Sequence, residues 1–263
     1  MQKENRKLLD EARYEEPIKN TFRLSWEFII LNRQFTLTVM SLLLLLNLLT
    51  SFLGLLAILL SGIFSMAIQI YVAKLIYNAE NINDFIVQSK KSKVEKAVGE
   101  NVLVATGAYL GEVLLMFGML LLFVILVQML GFDLEKVSKI EDLQRVAEAV
   151  ALPALILLLL MSYIHPLVQA KISLSRDLKE GFFAIFAIFS PSLWRSTFKT
   201  GYLKYIISLL SLIFMAALFM GVLVTIPFIS LLASFFIVVS MYIYMVVISI
   251  ASMMGKRIVE VAE

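Results

Sequence analysis

Few side chains in this sequence have the chemistry to make a site, and most of those lie inside long apolar runs. Glu112 follows Gly111 in one run, and His165, the only histidine, lies in another. Ser162, His165 and Gln169 fall on one face of a helix, as do Ser61, Ser65 and Gln69. Ionisable groups within a hydrocarbon span are costly, which makes them candidates for function. If the core begins near Val104, Glu112 lies about 12 Å in, at 1.5 Å per residue. Gln69, Glu112, His165 and Gln169 then lie toward one leaflet. Two readings follow. Gln69, Glu112, Ser162, His165 and Gln169 form a polar pocket for a lipid headgroup or small polar ligand, with Glu112 and His165 as a charged or hydrogen-bonded pair. Alternatively, they are glue between helices, each bond contributing ~1 kcal/mol or less. Asn47 reads as glue and Gln128 as an outer-interface residue.

Enzyme motifs are missing. There is no HExxH helix, no G-x-S-x-G elbow and no Walker loop. Ser162 and His165 sit three residues apart on one helix, a spacing that fits hydrogen bonding better than activation of a nucleophile. Glu15 and Glu16 lie in a polar segment outside any span. No cysteine is present, which excludes disulfides and thiolate chemistry, and no metal or cofactor is expected.

The elements that must carry these residues are set by composition. The 263 residues are 60% hydrophobic and 16% charged, against about 25% charged in soluble domains. The mean hydropathy is +0.90. Residues 35–52 and 55–76 are two apolar runs of about 20 residues, the length an α-helix needs to cross ~30 Å of hydrocarbon. Thr50, Ser51 and Gly54 mark a turn between them. Further spans are expected within 102–130, at 152–170, at 205–223 and at 228–252. The expected fold is all-α: six transmembrane helices in three consecutive hairpins, with interfacial amphipathic helices on the cytoplasmic face. Residues 1–20 form a polar tail in which Pro17 interrupts any helix, 21–255 the membrane domain, and 256–263 a short tail. The N-terminal segment does not have the form of a signal peptide.

Residues 21–33 carry Phe22, Trp26, Ile29 and Ile30 at helical spacing. They read either as an interfacial helix or as a helical extension of the first span. Ile82, Phe85, Ile86, Val94, Ala97 and Val98 make a broken apolar face before the third span. That span is overlong and should tilt or protrude. Gly107 and Gly111 form a GxxxG pair that Gly118 continues, a spacing that permits close helix approach. Residues 131–150 read as an outer loop with a short amphipathic helix through Leu134, Val137, Ile140, Leu143 and Val146. Pro153 is placed in the first turn of the fourth span, and Pro166 kinks that span near its inner end. Residues 181–194 read as an interfacial helix ending near Ser190.

Charge sets the orientation. Nearly all Lys and Arg fall before span 1, between spans 2 and 3, between spans 4 and 5, and after span 6, so both termini are expected in the cytoplasm of an inner-membrane protein. The net charge of +3 is too small to imply nucleic acid. Lys90, Lys91, Lys93, Lys96, Arg195 and Lys199 are candidate contacts for anionic lipid, and membrane lipids and a protein partner are the expected partners. The three units, near 21–78, 82–170 and 181–253, form a parallel pattern repeat rather than an inverted one. Trp26 and Trp194 sit at similar positions before spans 1 and 5.

The stretches "SRDLKEGFFAIFAIFSPSLWR", "MGVLVTIPFIS" and "TFRLSWEFIILNRQF" resemble a group of bacterial six-span membrane proteins. The group includes the YciC-like inner-membrane proteins and the membrane domain of some glycerophosphodiester phosphodiesterases. The resemblance covers about half the chain and implies a six-helix cytoplasmic-membrane protein. It brings no site residues, and no soluble catalytic domain is expected here. The reading is a non-enzymatic protein organising lipids or partners. The alternatives are a small transporter or permease subunit using the inner-leaflet polar residues, and then a membrane-embedded lipid enzyme.

Overall fold

The computed structural model describes residues 16–129, 140–199, 201–224 and 233–262. Among them the chain is all-helical. The helices are α1 (Pro17–Leu31), α2 (Arg33–Leu53), α3 (Leu55–Asn78), α4 (Ile82–Lys90), α5 (Val94–Met129), α6 (Ile140–Leu174), α7 (Leu178–Ile185), α8 (Pro191–Lys199), α9 (Tyr202–Val224) and α10 (Ala233–Ala262). A 3₁₀ turn, Phe186–Phe189, follows α7. Five helical stretches are long and apolar enough to cross a membrane, within α2, α3, α5, α6 and α10. A sixth crossing arises if α8 and the first part of α9 count as one, although they meet at 87°. These helices fit an integral, multi-pass membrane protein.

Local chemistry fixes the breaks. Pro17 does not interrupt a helix; it occupies the first turn of α1, where its missing N–H would have had no partner. The helix therefore begins inside the segment expected to be a tail. Nor is α1 a simple extension of the first span. Asn32 leaves helical geometry at φ −123° and ψ 68°, and its side chain accepts from the Phe35 amide to cap α2. Gly54, at φ +51°, makes the one-residue turn from α2 to α3. Only a residue without Cβ enters that region freely.

α4 and α7 open with the same device. Asn81 accepts from the Asp84 amide while Asp84 accepts from the Glu80 amide. Asp177 accepts from the Glu180 amide while Glu180 accepts from the Arg176 amide. Each arrangement satisfies one orphan donor of the helix start, the third-residue amide, and ties down the amide of the residue before the cap.

α3 and α10 are the central helices. Of their most apolar stretches 44% and 56% is buried, and α6 joins them at 47%, against 17% for α2 and 18% for α5, which therefore lie at the perimeter. Ala67 and Ile70 of α3 belong to one core with α5, α6, α7 and α9, whereas Ile68, Tyr71 and Val72 face a second core with α1, α2 and α4. The perimeter helices leave Leu37, Leu48, Phe52, Met116, Phe117 and Leu122 exposed. Apolar surface of this extent is poorly suited to water and well suited to lipid.

Several expectations change. α2 and α3 pack closely as a hairpin, but α5 scarcely touches α6, and α9 scarcely touches α10. The main partners of α6 and α5 are α10 and α7. The 36 residues of α5 give a length of about 54 Å, so its span is overlong and begins earlier than its apolar run. Residues 140–150 are the start of α6, not a separate loop helix, and Pro153 lies well inside α6 rather than in its first turn. Residues 131–139 lie outside the described residues. α1 buries Thr21, Leu24, Ser25 and Phe28; of its apolar stripe, Phe22 and Ile29 pack partly against the two cores, and Trp26 and Ile30 face outward. Trp194 differs from Trp26: it stacks on Tyr163 at 5.6 Å and donates to the Ile188 carbonyl.

In lipid, apolar contact gives helices no preference for one another over the solvent, so close backbone approach and hydrogen bonds hold them. Tyrosines supply many of the bonds. Thr21 pairs with Tyr205 (2.8 Å), Thr36 with Tyr242 (3.1 Å) and Tyr77 with Ser252 (2.6 Å), while Tyr202 donates to the Tyr163 carbonyl (2.8 Å).

Candidate functional site: a methionine-lined cavity

The weak packing of α5 on α6 leaves a cavity of about 430 Å³ between them. The two helices supply Glu112, Leu115, Met116, Met119 and Phe123, and Leu157, Met161, Ser162, Ile164, His165, Val168 and Ile172. Met66 of α3 and Ile185 and Ile188, at the end of α7 and in the 3₁₀ turn, complete the lining.

The position of α7 follows from glycine. A Cβ on Gly107 would lie 1.9 Å from the Leu178 carbonyl oxygen, one on Gly111 2.6 Å from that of Phe182, and one on Gly181 2.5 Å from that of Val104. The GxxxG pair therefore does permit close approach, and its partner is the eight-residue α7 rather than another span. A Cβ on Gly118 would meet nothing within 4 Å, so Gly118 does not continue that face. The segment expected to lie at the interface thus runs along α5 and carries Ile185 and Ile188 to the cavity. Its helix ends at Ile185, and the 3₁₀ turn ends at Phe189.

Three of the five candidate pocket residues meet here: Glu112, Ser162 and His165. Among the described residues they are the only lining groups that ionise or carry a hydroxyl. No hydrogen bond or ion pair joins Glu112 to His165, and Glu112 has no such partner among the described residues. His165 Nδ1 lies 3.0 Å from the Tyr244 hydroxyl of α10. When Tyr244 donates to Nδ1, the neutral ring carries its proton on Nε2. Pro166 has no N–H, so the Ser162 carbonyl lacks its usual helical donor one turn on. The site thus offers an acid, an imidazole and a hydroxyl within apolar walls. Four of its lining residues are methionine, whose unbranched chain adapts to varied apolar shapes.

Gln69 and Gln169 do not line the cavity. Gln169 is fully buried, with Nε2 3.4 Å from the Ser173 hydroxyl, and the side-chain oxygens of both glutamines are buried without a partner among the described residues. The lipid-contact candidates are elsewhere. Lys90, Lys91, Lys93, Lys96 and Arg195 are exposed, with Lys96 3.9 Å from Glu100. Lys199 closes α8, and its side chain lies outside the described residues. Sequence reasoning missed Tyr244. Its one signal is helical spacing from Ile237 and Met241 in a run where tyrosine reads as an interface residue.

No family model, no curated protein and no solved structure matches this chain.

Proposed function

We propose that this is a non-enzymatic multi-pass protein of the cell's inner membrane that holds lipid in the α5–α6 cavity. The supporting observation is the placement of Glu112, Ser162 and His165 inside a methionine-rich apolar cavity between two span helices that scarcely touch. Such a site is of the size and character that takes amphiphiles. The apolar walls receive an acyl chain. Glu112 accepts from a hydroxyl or amine, and His165 donates from Nε2. Both termini lie in the cytoplasm by the positive-inside rule. There the exposed lysines of 90–96 meet anionic headgroups, each adding about 1 kcal/mol. The resemblance to six-span bacterial inner-membrane proteins is consistent with this reading.

The test is native mass spectrometry of protein released from nanodiscs of mixed phospholipids. Wild type should retain lipid, Glu112→Gln should retain less, and Met161→Trp, which fills the cavity, least. Equal retention by all three overturns the proposal. A second reading, transport of a small solute or proton, is favoured by the same acid and imidazole lying within the membrane-spanning helices. Glu112-dependent flux into liposomes would select it.

A further inference from the structure

A second cavity, of about 360 Å³, lies at the Gly54 end of the α2–α3 hairpin, bounded by α5 and α10. Its polar lining is Asn47, Thr50, Ser61 and Tyr109. Among the described residues no acid, lysine, arginine or histidine lines it. Asn47 is exposed in the second half of α2, and neither it nor Ser61 makes a hydrogen bond within the described protein. Thr50 donates back to the Leu46 carbonyl, and the Tyr109 hydroxyl is at 3.5 Å from the Ile58 carbonyl, the outer limit of a bond. In water an unpartnered amide is unremarkable. In hydrocarbon no solvent satisfies it, and an unpaired amide or hydroxyl costs several kcal/mol. Asn47 and Ser61 therefore require partners from outside the described residues.

We infer that this cavity binds an uncharged lipid of the diacylglycerol type, its ester carbonyl and hydroxyl oxygens held by Asn47, Ser61 and Tyr109. Asn47 offers two donors and an acceptor, and the two hydroxyls offer one donor each. A charged headgroup is disfavoured, because no opposite charge lines the site to offset its desolvation. Gly62 makes the room: a Cβ there would lie 2.0 Å from the Tyr109 ring, so any larger residue displaces the phenol. The inference is independent of the lipid proposed for the α5–α6 cavity, which is lined by different residues.

The experiment uses the full chain in nanodiscs containing a diacylglycerol with a diazirine on its acyl chain near the ester, with labelled peptides mapped by mass spectrometry. Label is expected within 43–62 and 237–241. Asn47→Leu with Ser61→Ala should lower it about tenfold, the worth of one or two neutral hydrogen bonds. Because neither side chain has a partner in the fold, the thermal midpoint should hold or rise. Phosphatidylglycerol with the same diazirine should label these peptides weakly. No label, label indifferent to the double substitution, or equal label from phosphatidylglycerol overturns the inference. So does Asn47-dependent dimerisation, which would make a second copy the partner, and so does a fall in thermal midpoint, which would make the two groups part of the fold.

Discussion

Gly107 of α5 lies against the backbone of Leu178 at the start of α7, with room for a hydrogen and none for a methyl group. The clash is with a carbonyl, which cannot rotate away as a side chain could. Gly107→Ala should destabilise the protein by roughly 1–3 kcal/mol, the usual penalty of overpacking. Gly118→Ala, with nothing nearby, should be neutral or slightly stabilising, because alanine is the better helix former. Thermal unfolding in detergent separates the two, and equal effects would mean that α7 does not pack there.

Asn32 does two jobs with one side chain. Its oxygen caps α2, and its nitrogen donates to the carbonyls of Ser89 (2.9 Å) and Ser92 (2.8 Å) at and just after the end of α4. Asn32→Ala removes a helix cap and one donor from each of two carbonyls, of which that of Ser89 keeps the Ser92 amide. A loss of about 2 kcal/mol or more is expected. Asn32→Asp keeps the cap and cannot donate to the carbonyls, so it should recover only part of that loss in the same unfolding measurement.

Tyr244→Phe removes the hydroxyl beside His165 Nδ1 and should cost about 1 kcal/mol. Because His165 is the only histidine, nitrogen NMR of a histidine-labelled sample reports one ring. The substitution should shift the Nδ1 resonance and change the tautomer balance. An unchanged spectrum would show that the 3.0 Å contact does not form in lipid.

The absence of cysteine makes single-cysteine labelling clean. With both termini cytoplasmic, Lys91→Cys in sealed inverted vesicles should react with an impermeant maleimide, and Ser138→Cys should react only after the membrane is opened. The reverse pattern, or reaction of both, would refute the proposed orientation.

Replacing Lys90, Lys91 and Lys93 together by Gln should lower binding of anionic lipid by up to ~3 kcal/mol at low salt, on the scale of 1 kcal/mol per basic residue. Raising the salt should shrink the difference, since these side chains are exposed and screened. Lipid co-purification at two ionic strengths measures it, and no change in anionic-lipid content would assign the lysines to orientation alone.

That the chain is all-helical with several helices long enough to cross a bilayer is legible in the residues, because a run such as 55–76 is measured against bilayer thickness without reference to any other part of the chain. So is the capacity of Gly107 and Gly111 for close approach, and the turn at Gly54. Whether α8 and α9 add a sixth crossing, and where α5 and α6 begin, is not. Pro17 misleads because a proline that breaks a helix interior also starts one. The partners are not legible. α3 is apolar on every side, and lipid and protein core are equally apolar, so hydropathy does not say which face of it turns inward. That α7 folds along α5, that α5 and α6 stand apart around Glu112, Ser162 and His165, and that Tyr244 reaches His165 from another helix are decided by packing among segments far apart in the chain.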